Sequence, residues 1–226
     1  TAQSGIWQSV WMEIVPEAYV QTLTLKGAAD GRLFIRAEIG GDKPNAKLHI
    51  VVAEPTDGTI VADELLPAGM RKVRMEIATR AEHLWSPNDP YLYDVTATLE
   101  FGAAKSQGKQ EKLQQESQEI QEKPAKSQEK QDIVRSYCAF RTVEIKPDLK
   151  GVARFHLNGK PVFLKGVLDQ GYWPDGLLTA PSDEALVHDI TAMKESGFTM
   201  LRKHIKIESA RWYYHCDRLG MLVWQD

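Results

Sequence analysis

Apolar and polar residues alternate in several runs of the N-terminal half of the chain. The runs cover residues 33–39, 48–52, 73–77 and 91–99. Turn-forming residues flank them, such as Asp30-Gly31 before the first run and Asp57-Gly58 after the second. A period of two between turn signals is typical of half-buried antiparallel strands. Their recurrence along the chain predicts a β-sandwich of immunoglobulin-like type.

Residues 102–132 interrupt this pattern. They include eight Gln, six Lys and six Asp or Glu, and Leu113 and Ile120 are the only large apolar residues among them. Such a segment cannot bury enough apolar surface to offset the entropy of ordering it. We therefore interpret it as a low-complexity insertion in a hairpin loop, between a strand that ends near Phe101 and one that begins near Ile133. A partner-binding helix is the alternative, because Leu113 and Ile120 are one heptad apart.

The C-terminal part has a different periodicity. Residues 162–164 are a short apolar run that predicts a strand buried on both faces. Ser182 is the predicted N-cap of a helix whose apolar stripe ends before Gly197. A strand at 198–201, a helix at 208–219 that stops at Gly220, and a strand at 221–224 follow. This alternation of strands and helices predicts a parallel sheet, whose last strand would present an open edge.

The composition is that of an ordinary globular protein, with 42% hydrophobic and 26% charged residues. The net charge of −3 gives no reason to expect a nucleic-acid partner or an anionic membrane. The start of the sequence has no signal-peptide pattern and looks like a cut inside a longer protein, so the compartment stays open between cytoplasm, periplasm and secretion. Cys138 and Cys216 are expected to be two buried thiols rather than a disulfide.

Four motifs carry a resemblance to a known family. They are SGIWQSVWMEIVP at 4–16, LWSPNDPYLYDV at 84–95, FHLNGKPVFLKGV at 155–167 and HCDRLGMLVWQD at 215–226. In sequence and in order they resemble the family 2 glycoside hydrolases, which include β-galactosidases, β-glucuronidases and β-mannosidases. The resemblance implies that residues 1–19 end a jelly-roll sugar-binding domain and link it onward. It implies an immunoglobulin-like sandwich at 20–145 and the first three βα units of a (β/α)8 TIM barrel at 146–226.

The chemistry that the resemblance implies is retaining hydrolysis of a β-glycosidic bond by two carboxylates about 5 Å apart. In the family, the acid/base glutamate follows an asparagine after the fourth barrel strand, and the nucleophile comes from the seventh. The sequence has no Asn-Glu dipeptide. No catalytic residue is therefore assigned to this chain, which is expected to be an inactive fragment by itself, and no cofactor is implied.

The first loop of the implied barrel supplies candidate substrate-binding residues. Where galactosidases and glucuronidases of the family carry an Asn-Arg/Lys-His-Glu type motif, this chain has LDQGYW from Leu168. Asp169 and Asp175 can accept hydrogen bonds from sugar hydroxyls, and Tyr172 and Trp173 can stack on a pyranose face. The alternative for Trp173 is packing at the mouth of the barrel.

The second and third strands of the implied barrel add further candidates. The family carries an Arg-Thr/Ser-His-Tyr-like motif where this chain has Arg202-Lys203-His204. Arg202 could orient a catalytic carboxylate, with Asp226 as its partner within this chain, and His204 could bind a hydroxyl. We expect Lys203 to be a solvated charge. Asp217 and Arg218 are expected to be structural, as a capping or helix–helix pair, and no residue spacing indicates a metal site.

Two other functions stay open at this point. The first is a non-catalytic carbohydrate-binding or scaffold module with the same architecture. The second is an interaction protein that uses the insertion at 102–132. The family resemblance favours part of a glycosidase acting on a carbohydrate substrate, with neither nucleic acid nor membrane as a partner.

Overall fold

The computed structural model describes residues 5–41, 46–67, 71–101 and 131–226. Most of the predicted insertion, with Leu113 and Ile120, lies outside the described residues. The strand that was predicted to begin near Ile133 begins at Asp132. The Asp132 carboxylate accepts a hydrogen bond from the backbone N–H of Val20 at 2.7 Å, which ties the start of that strand to a neighbouring one.

Two antiparallel sheets form the N-terminal part of the structure, which we call the two-sheet body. One sheet has the order β1-β2-β5 and the other the order β4-β3-β6-β7. The strands are β1 Ala18–Gly27, β2 Arg32–Gly41, β3 Ala46–Ala53, β4 Ile60–Pro67, β5 Lys72–Ala78, β6 Tyr93–Phe101 and β7 Asp132–Cys138.

The alternating pattern explains how these sheets pack. In β2, Leu33, Ile35 and Ala37 are buried while the residues between them are exposed, and the inward residues of β3 behave in the same way. Inward residues of both sheets join in one hydrophobic core, which includes Cys138. The four predicted runs are confirmed as strands β2, β3, β5 and β6. Strands β1 and β4 were missed in the sequence pattern, because their burial alternates less regularly.

A small sheet of order β10-β9-β8 connects the two-sheet body to the C-terminal part. Its strands are β8 Val143–Pro147, β9 Ala153–Leu157 and β10 Lys160–Pro161. Asn158 and Gly159 join β9 to β10 with φ values of 52° and 76°, the two positive values that a tight hairpin turn requires. The Phe155 ring packs edge-on against Trp224, with the ring centroids 5.6 Å apart.

The C-terminal part is a parallel sheet of order β11-β12-β13 with two helices. Its elements are β11 Gly166–Asp169, α1 Asp183–Glu195, β12 Met200–Lys203, α2 Ala210–Leu219 and β13 Leu222–Gln225. Side chains from both helices and from β12 form a second core that contains Trp212 and Cys216. No helix in the described ranges is long and apolar enough to cross a bilayer.

The predicted start of α1 and the predicted end of α2 are confirmed, whereas α2 begins at Ala210 rather than at 208. Ser182 caps α1 by accepting a hydrogen bond from the N–H of Ala185, and Gly220 ends α2 in the left-handed conformation. The predicted strand at 162–164 is wrong. The N–H of Val162 bonds back to the hairpin at Phe155, so pairing with the parallel sheet begins only at Gly166.

The two parts of the molecule meet at a joint made by Trp85, Arg141, Asn158 and Asp217. Trp85 is fully buried and donates from Nε1 to the backbone oxygen of Asp217 at 2.7 Å. Arg141 forms an ion pair with the Asp217 carboxylate at 2.9 Å, and Asn158 donates to the backbone oxygen of Trp85 at 2.9 Å. Asp217 is therefore structural as predicted. Its ionic partner, however, is Arg141 next to the two-sheet body rather than a residue of another helix.

Candidate functional site

Four of the seven candidate residues lie at the carboxyl ends of the three parallel strands. Asp169 of β11 is in register with Lys203 of β12, which is in register with Gln225 of β13. Arg202 and His204 flank Lys203, and Asp226 follows Gln225. Ligand sites of parallel α/β folds lie at this end of the strands, where the chain leaves the sheet.

Both carboxylate oxygens of Asp169 are engaged within the protein. Oδ1 accepts from the backbone N–H of Gly171 at 2.8 Å and Oδ2 accepts from Lys203 Nζ at 2.7 Å. Asp169 therefore shapes the loop that follows β11, and any sugar hydroxyl would have to use the remaining lone pairs of these oxygens.

The prediction that Lys203 is a solvated charge is wrong. Its side chain is 1% exposed, and Nζ contacts Asp169 and, at 3.1 Å, Glu208. It also lies 4.2 Å from the centroid of the Trp212 ring. Side chains alternate across a strand, so Lys203 shares the buried face of β12 with Leu201 and requires partners there.

Arg202 points to the opposite face of β12. It pairs with Asp226, donating to Oδ2 from Nε at 3.1 Å and also from Nη2. The side chains of Arg202 and Asp226 are 48% and 34% exposed, so the pair is open to solvent. The expected partner of Arg202 is thus in place, and the pair offers both a donor and an acceptor to a ligand.

His204 is held beside the first loop. Its backbone N–H donates to the carbonyl of Asp169 at 3.0 Å, and its Nδ1 lies 3.1 Å from the side-chain nitrogen of Gln170. Because an amide nitrogen can only donate, Nδ1 is the acceptor in this contact. Nε2 then carries the proton, which makes it available as a donor to a ligand.

Tyr172, Trp173 and Asp175 lie further along the loop. No hydrogen bond or ion pair in the described part of the chain joins any of them to the four residues above. Tyr172 is 60% exposed and Asp175 is exposed. Trp173 packs against the second core, and its Nε1 is buried without an acceptor among the described residues. The indole ring of Trp173 therefore packs against the protein, which is the alternative to stacking on a sugar.

No family model matches this chain. The β-galactosidase of Lactobacillus delbrueckii subsp. bulgaricus is 24% identical over 97% of the chain, and that of Oenococcus oeni is 26% identical over 97%. The alignments cover 19% and 20% of those proteins, so the chain spans about a fifth of their length. A solved structure of Bifidobacterium dentium β-glucuronidase complexed with coumarin-3-O-glucuronide superposes with a TM-score of 0.69 at 21% identity. The superposition covers 93% of this chain and 31% of the β-glucuronidase chain. The chain resembles family 2 glycoside hydrolases. The resemblance predicted from the four motifs is confirmed.

Three of the family 2 motifs contribute to the joint. Trp85 comes from the motif at 84–95, Asn158 from that at 155–167, and Asp217 from that at 215–226. Three of the four motifs thus each contribute one residue to the contact between the two parts. The candidate residues Asp169, Arg202 and His204 lie outside all four motifs.

Sequence reasoning missed three residues that organise this end of the sheet. Glu208 is buried between Lys203 and Lys206, and Lys206 Nζ donates to the carbonyl of Gly171 at 2.7 Å. The ring centroid of Trp7 lies 5.2 Å from Lys206 Nζ, and the backbone carbonyl of Trp7 accepts a hydrogen bond from the Thr179 hydroxyl. The only sequence signal is the closely spaced Lys203, Lys206 and Glu208, a pattern that an exposed segment shows equally well.

Gln225 and Tyr213 complete the support under the strand ends. The Gln225 amide donates to the carbonyls of Lys203 and Lys206 and accepts from Tyr213 Oη at 2.6 Å. Burial raises the pKa of Tyr213, which keeps its phenol protonated as the donor. Within the described ranges, no group of three His, Cys, Asp or Glu residues could hold a metal ion.

Proposed function

We propose that this chain is part of a family 2 glycosidase that hydrolyses O-glycosidic bonds of β-glycosides with retention. The observation that carries the proposal is the gathering of Asp169, Arg202, His204 and Asp226 at the carboxyl ends of neighbouring parallel strands. The chain around them is similar over 97% of its length to β-galactosidases. The substrate is then a carbohydrate, and the whole site requires residues beyond these four.

The proposed architecture follows the family. The two-sheet body corresponds to the immunoglobulin-like sandwich at 20–145. The C-terminal part at 146–226 corresponds to the first three βα units of the (β/α)8 barrel, and residues 1–19 to the end of a jelly-roll domain and its linker. The antiparallel orders β1-β2-β5 and β4-β3-β6-β7 and the parallel order β11-β12-β13 support this correspondence.

The proposed roles follow from the contacts. Arg202, held by Asp226, orients a catalytic carboxylate or binds a sugar oxygen, and His204 donates to a hydroxyl. The exposed ring of Tyr172 stacks on a pyranose face. Asp169 holds the loop, while Trp173 packs beneath it. Asp175 is available for a hydroxyl at the loop tip.

The two carboxylates that break the bond are not assigned to this chain, which has no Asn-Glu dipeptide. We expect the 226-residue chain to release no nitrophenol from 4-nitrophenyl β-galactoside, β-glucuronide or β-mannoside. Turnover above a buffer blank would contradict the assignment of the catalytic groups.

A longer protein that contains this chain tests the function itself. We expect it to hydrolyse at least one of these β-glycosides, and Arg202→Gln to lower kcat/KM roughly hundredfold. Arg154→Gln is the matched control, because Arg154 is an exposed arginine of the hairpin that pairs only with Asp148 among the described residues. Sugar binding without turnover by the longer protein would favour the non-catalytic module instead.

A further inference from the structure

The outer face of the β1-β2-β5 sheet carries a concentration of positive charge. Across the sheet, Thr24, Arg36 and Arg74 form one row of neighbours, and Lys26, Phe34 and Glu76 form the next. Arg36 and Arg74 are exposed and directly opposite each other. Neither has an ion pair in the described ranges, because Glu76 pairs with Arg32 and Glu38 pairs with Lys72.

Like charges placed directly opposite each other on neighbouring strands destabilise a sheet. The chain as a whole is acidic, with a net charge of −3, so this basic face is a local feature. An anion that bridged the two guanidinium groups would convert the repulsion into two charge-assisted hydrogen-bonded contacts.

The same face is concave. A hollow of about 490 Å³ is lined by Thr24, Lys26, Phe34, Arg36, Arg74 and Glu76, among others. It shares Thr24, Lys26 and Phe34 with a second cavity of about 680 Å³ that extends to Tyr137, Arg141 and Asp217. The two hollows adjoin each other at these shared residues, and we call them together the basic groove. Two adjoining hollows of this volume suit an oligomer better than a single small ion.

Phe34 adds an exposed aromatic ring to the positive charge of the basic groove. The residue is 36% exposed and lines both hollows, and the Arg32 guanidinium lies 5.5 Å from its ring centroid. An exposed aromatic ring can pack on the apolar face of a pyranose, while hydroxyl and charged groups around it bind the edge of the sugar.

We propose that the basic groove binds an acidic oligosaccharide, with a uronate carboxylate between Arg36 and Arg74 and a pyranose ring against Phe34. None of the seven candidate site residues lines this surface. The inference is independent of the proposed glycosidase function, since it concerns binding at a separate face of the two-sheet body.

Calorimetric titration of the chain with tetragalacturonate at low salt tests the proposal. We expect saturable binding that weakens as NaCl is added, and no binding of the same tetrasaccharide after its carboxylates are reduced to alcohols. Arg36→Gln with Arg74→Gln should weaken binding by at least about tenfold, because two charge-assisted contacts are lost. Phe34→Leu should weaken it while keeping an apolar residue at that position.

Arg135→Gln is the matched control, because Arg135 is an exposed strand arginine that lines neither hollow and has no ion pair among the described residues. It should bind tetragalacturonate as the wild type does, and all variants should keep the wild-type circular dichroism spectrum. The proposal is overturned if the reduced tetrasaccharide binds equally well or if Arg135→Gln loses as much affinity. Tighter binding of tetraglutamate than of tetragalacturonate would also overturn it, since the surface would then be one for acidic peptides.

Discussion

At the residue scale, Lys203 shows how strongly neighbours determine the state of a charged side chain. Its sequence context, between Arg202 and His204, resembles a polar loop. In the structure it is 1% exposed and lies between Asp169 and Glu208. Removing one member of a buried ion pair leaves an uncompensated charge in a low-dielectric environment, which costs more than the pair itself contributes.

We expect Lys203→Met to lower the free energy of unfolding by about 3–5 kcal/mol. The substitution leaves Asp169 without its Lys203 contact, while Glu208 keeps Lys206 at 2.8 Å. Urea denaturation followed by far-ultraviolet circular dichroism measures the change. The control is Lys160→Met at an exposed position of the hairpin, where a change within about 0.5 kcal/mol is expected. A Lys203→Met variant as stable as the wild type would show that the network does not require this charge.

At the element scale, the helix ends that have a local cap are determined locally, and the ends of the strands are not. Ser182 begins α1 and Gly220 ends α2 as predicted, because a cap satisfies groups within a few residues of itself. Strand β12 begins at Met200, two residues after the predicted start at Phe198, because its bounds follow from pairing with β11 and β13.

Glycine is required at position 220 both by the left-handed backbone and by a close contact with Pro87, and two substitutions can separate these requirements. Its φ is 74°, and an added Cβ would lie 2.3 Å from the carbonyl oxygen of Pro87. Gly159 has a φ of 76° and nothing within 4 Å of an added Cβ. We expect Gly159→Ala to cost about 1–2 kcal/mol for the left-handed backbone alone. Gly220→Ala should cost more, because α2 must also move away from the two-sheet body. Equal losses in urea denaturation would contradict a tight contact at Pro87.

At the scale of the whole molecule, two hydrophobic cores are connected through the joint around Trp85 and Asp217. Each core contains one cysteine, Cys138 in the two-sheet body and Cys216 in the C-terminal part, and both thiols are free and buried. Burial raises the pKa of Cys138 to about 12 and also raises that of Cys216, next to the Asp217 carboxylate, above its ordinary value of 9.0.

These raised pKa values predict a loss of stability at alkaline pH. The unfolded chain releases the thiol protons near the ordinary value of 9.0, while the folded chain retains them. The stability that the protonated thiols contribute is therefore fully present below about pH 9. It decreases as the pH rises towards the thiol pKa of the folded chain. From about pH 8 to about pH 10 the free energy of unfolding should fall by about 1.4 kcal/mol for each thiol.

Urea denaturation of the wild type and of both alanine variants between about pH 8 and about pH 10 measures this slope. The difference between the wild type and a variant cancels the contribution of the tyrosines, whose ordinary pKa is 10.0. Cys138→Ala and Cys216→Ala should each remove about half of the thiol contribution, whatever their stability at neutral pH. An unchanged slope in both variants would show that neither thiol is responsible.

The sequence by itself determined those features that depend on near neighbours and on periodicity. Alternation identified strands β2, β3, β5 and β6, caps identified the start of α1 and the end of α2, and motif order identified the family resemblance. The sequence also indicated Asp226 as the one residue of this chain that could pair with Arg202, because both residues lie at predicted ends of neighbouring strands.

Tertiary structure alone decided the features that depend on distant contacts. The burial of Lys203, the place of Glu208 beside it, and the packing of Trp173 follow from which face of a strand or loop meets the second core. The joint requires Trp85 and Asp217, which are 132 residues apart, to touch. The opposition of Arg36 and Arg74 follows from the register of β2 and β5. The physical reason is common to all of these. A side chain's solvation and charge partners depend on what packs against it, and a periodic pattern specifies only which face it occupies.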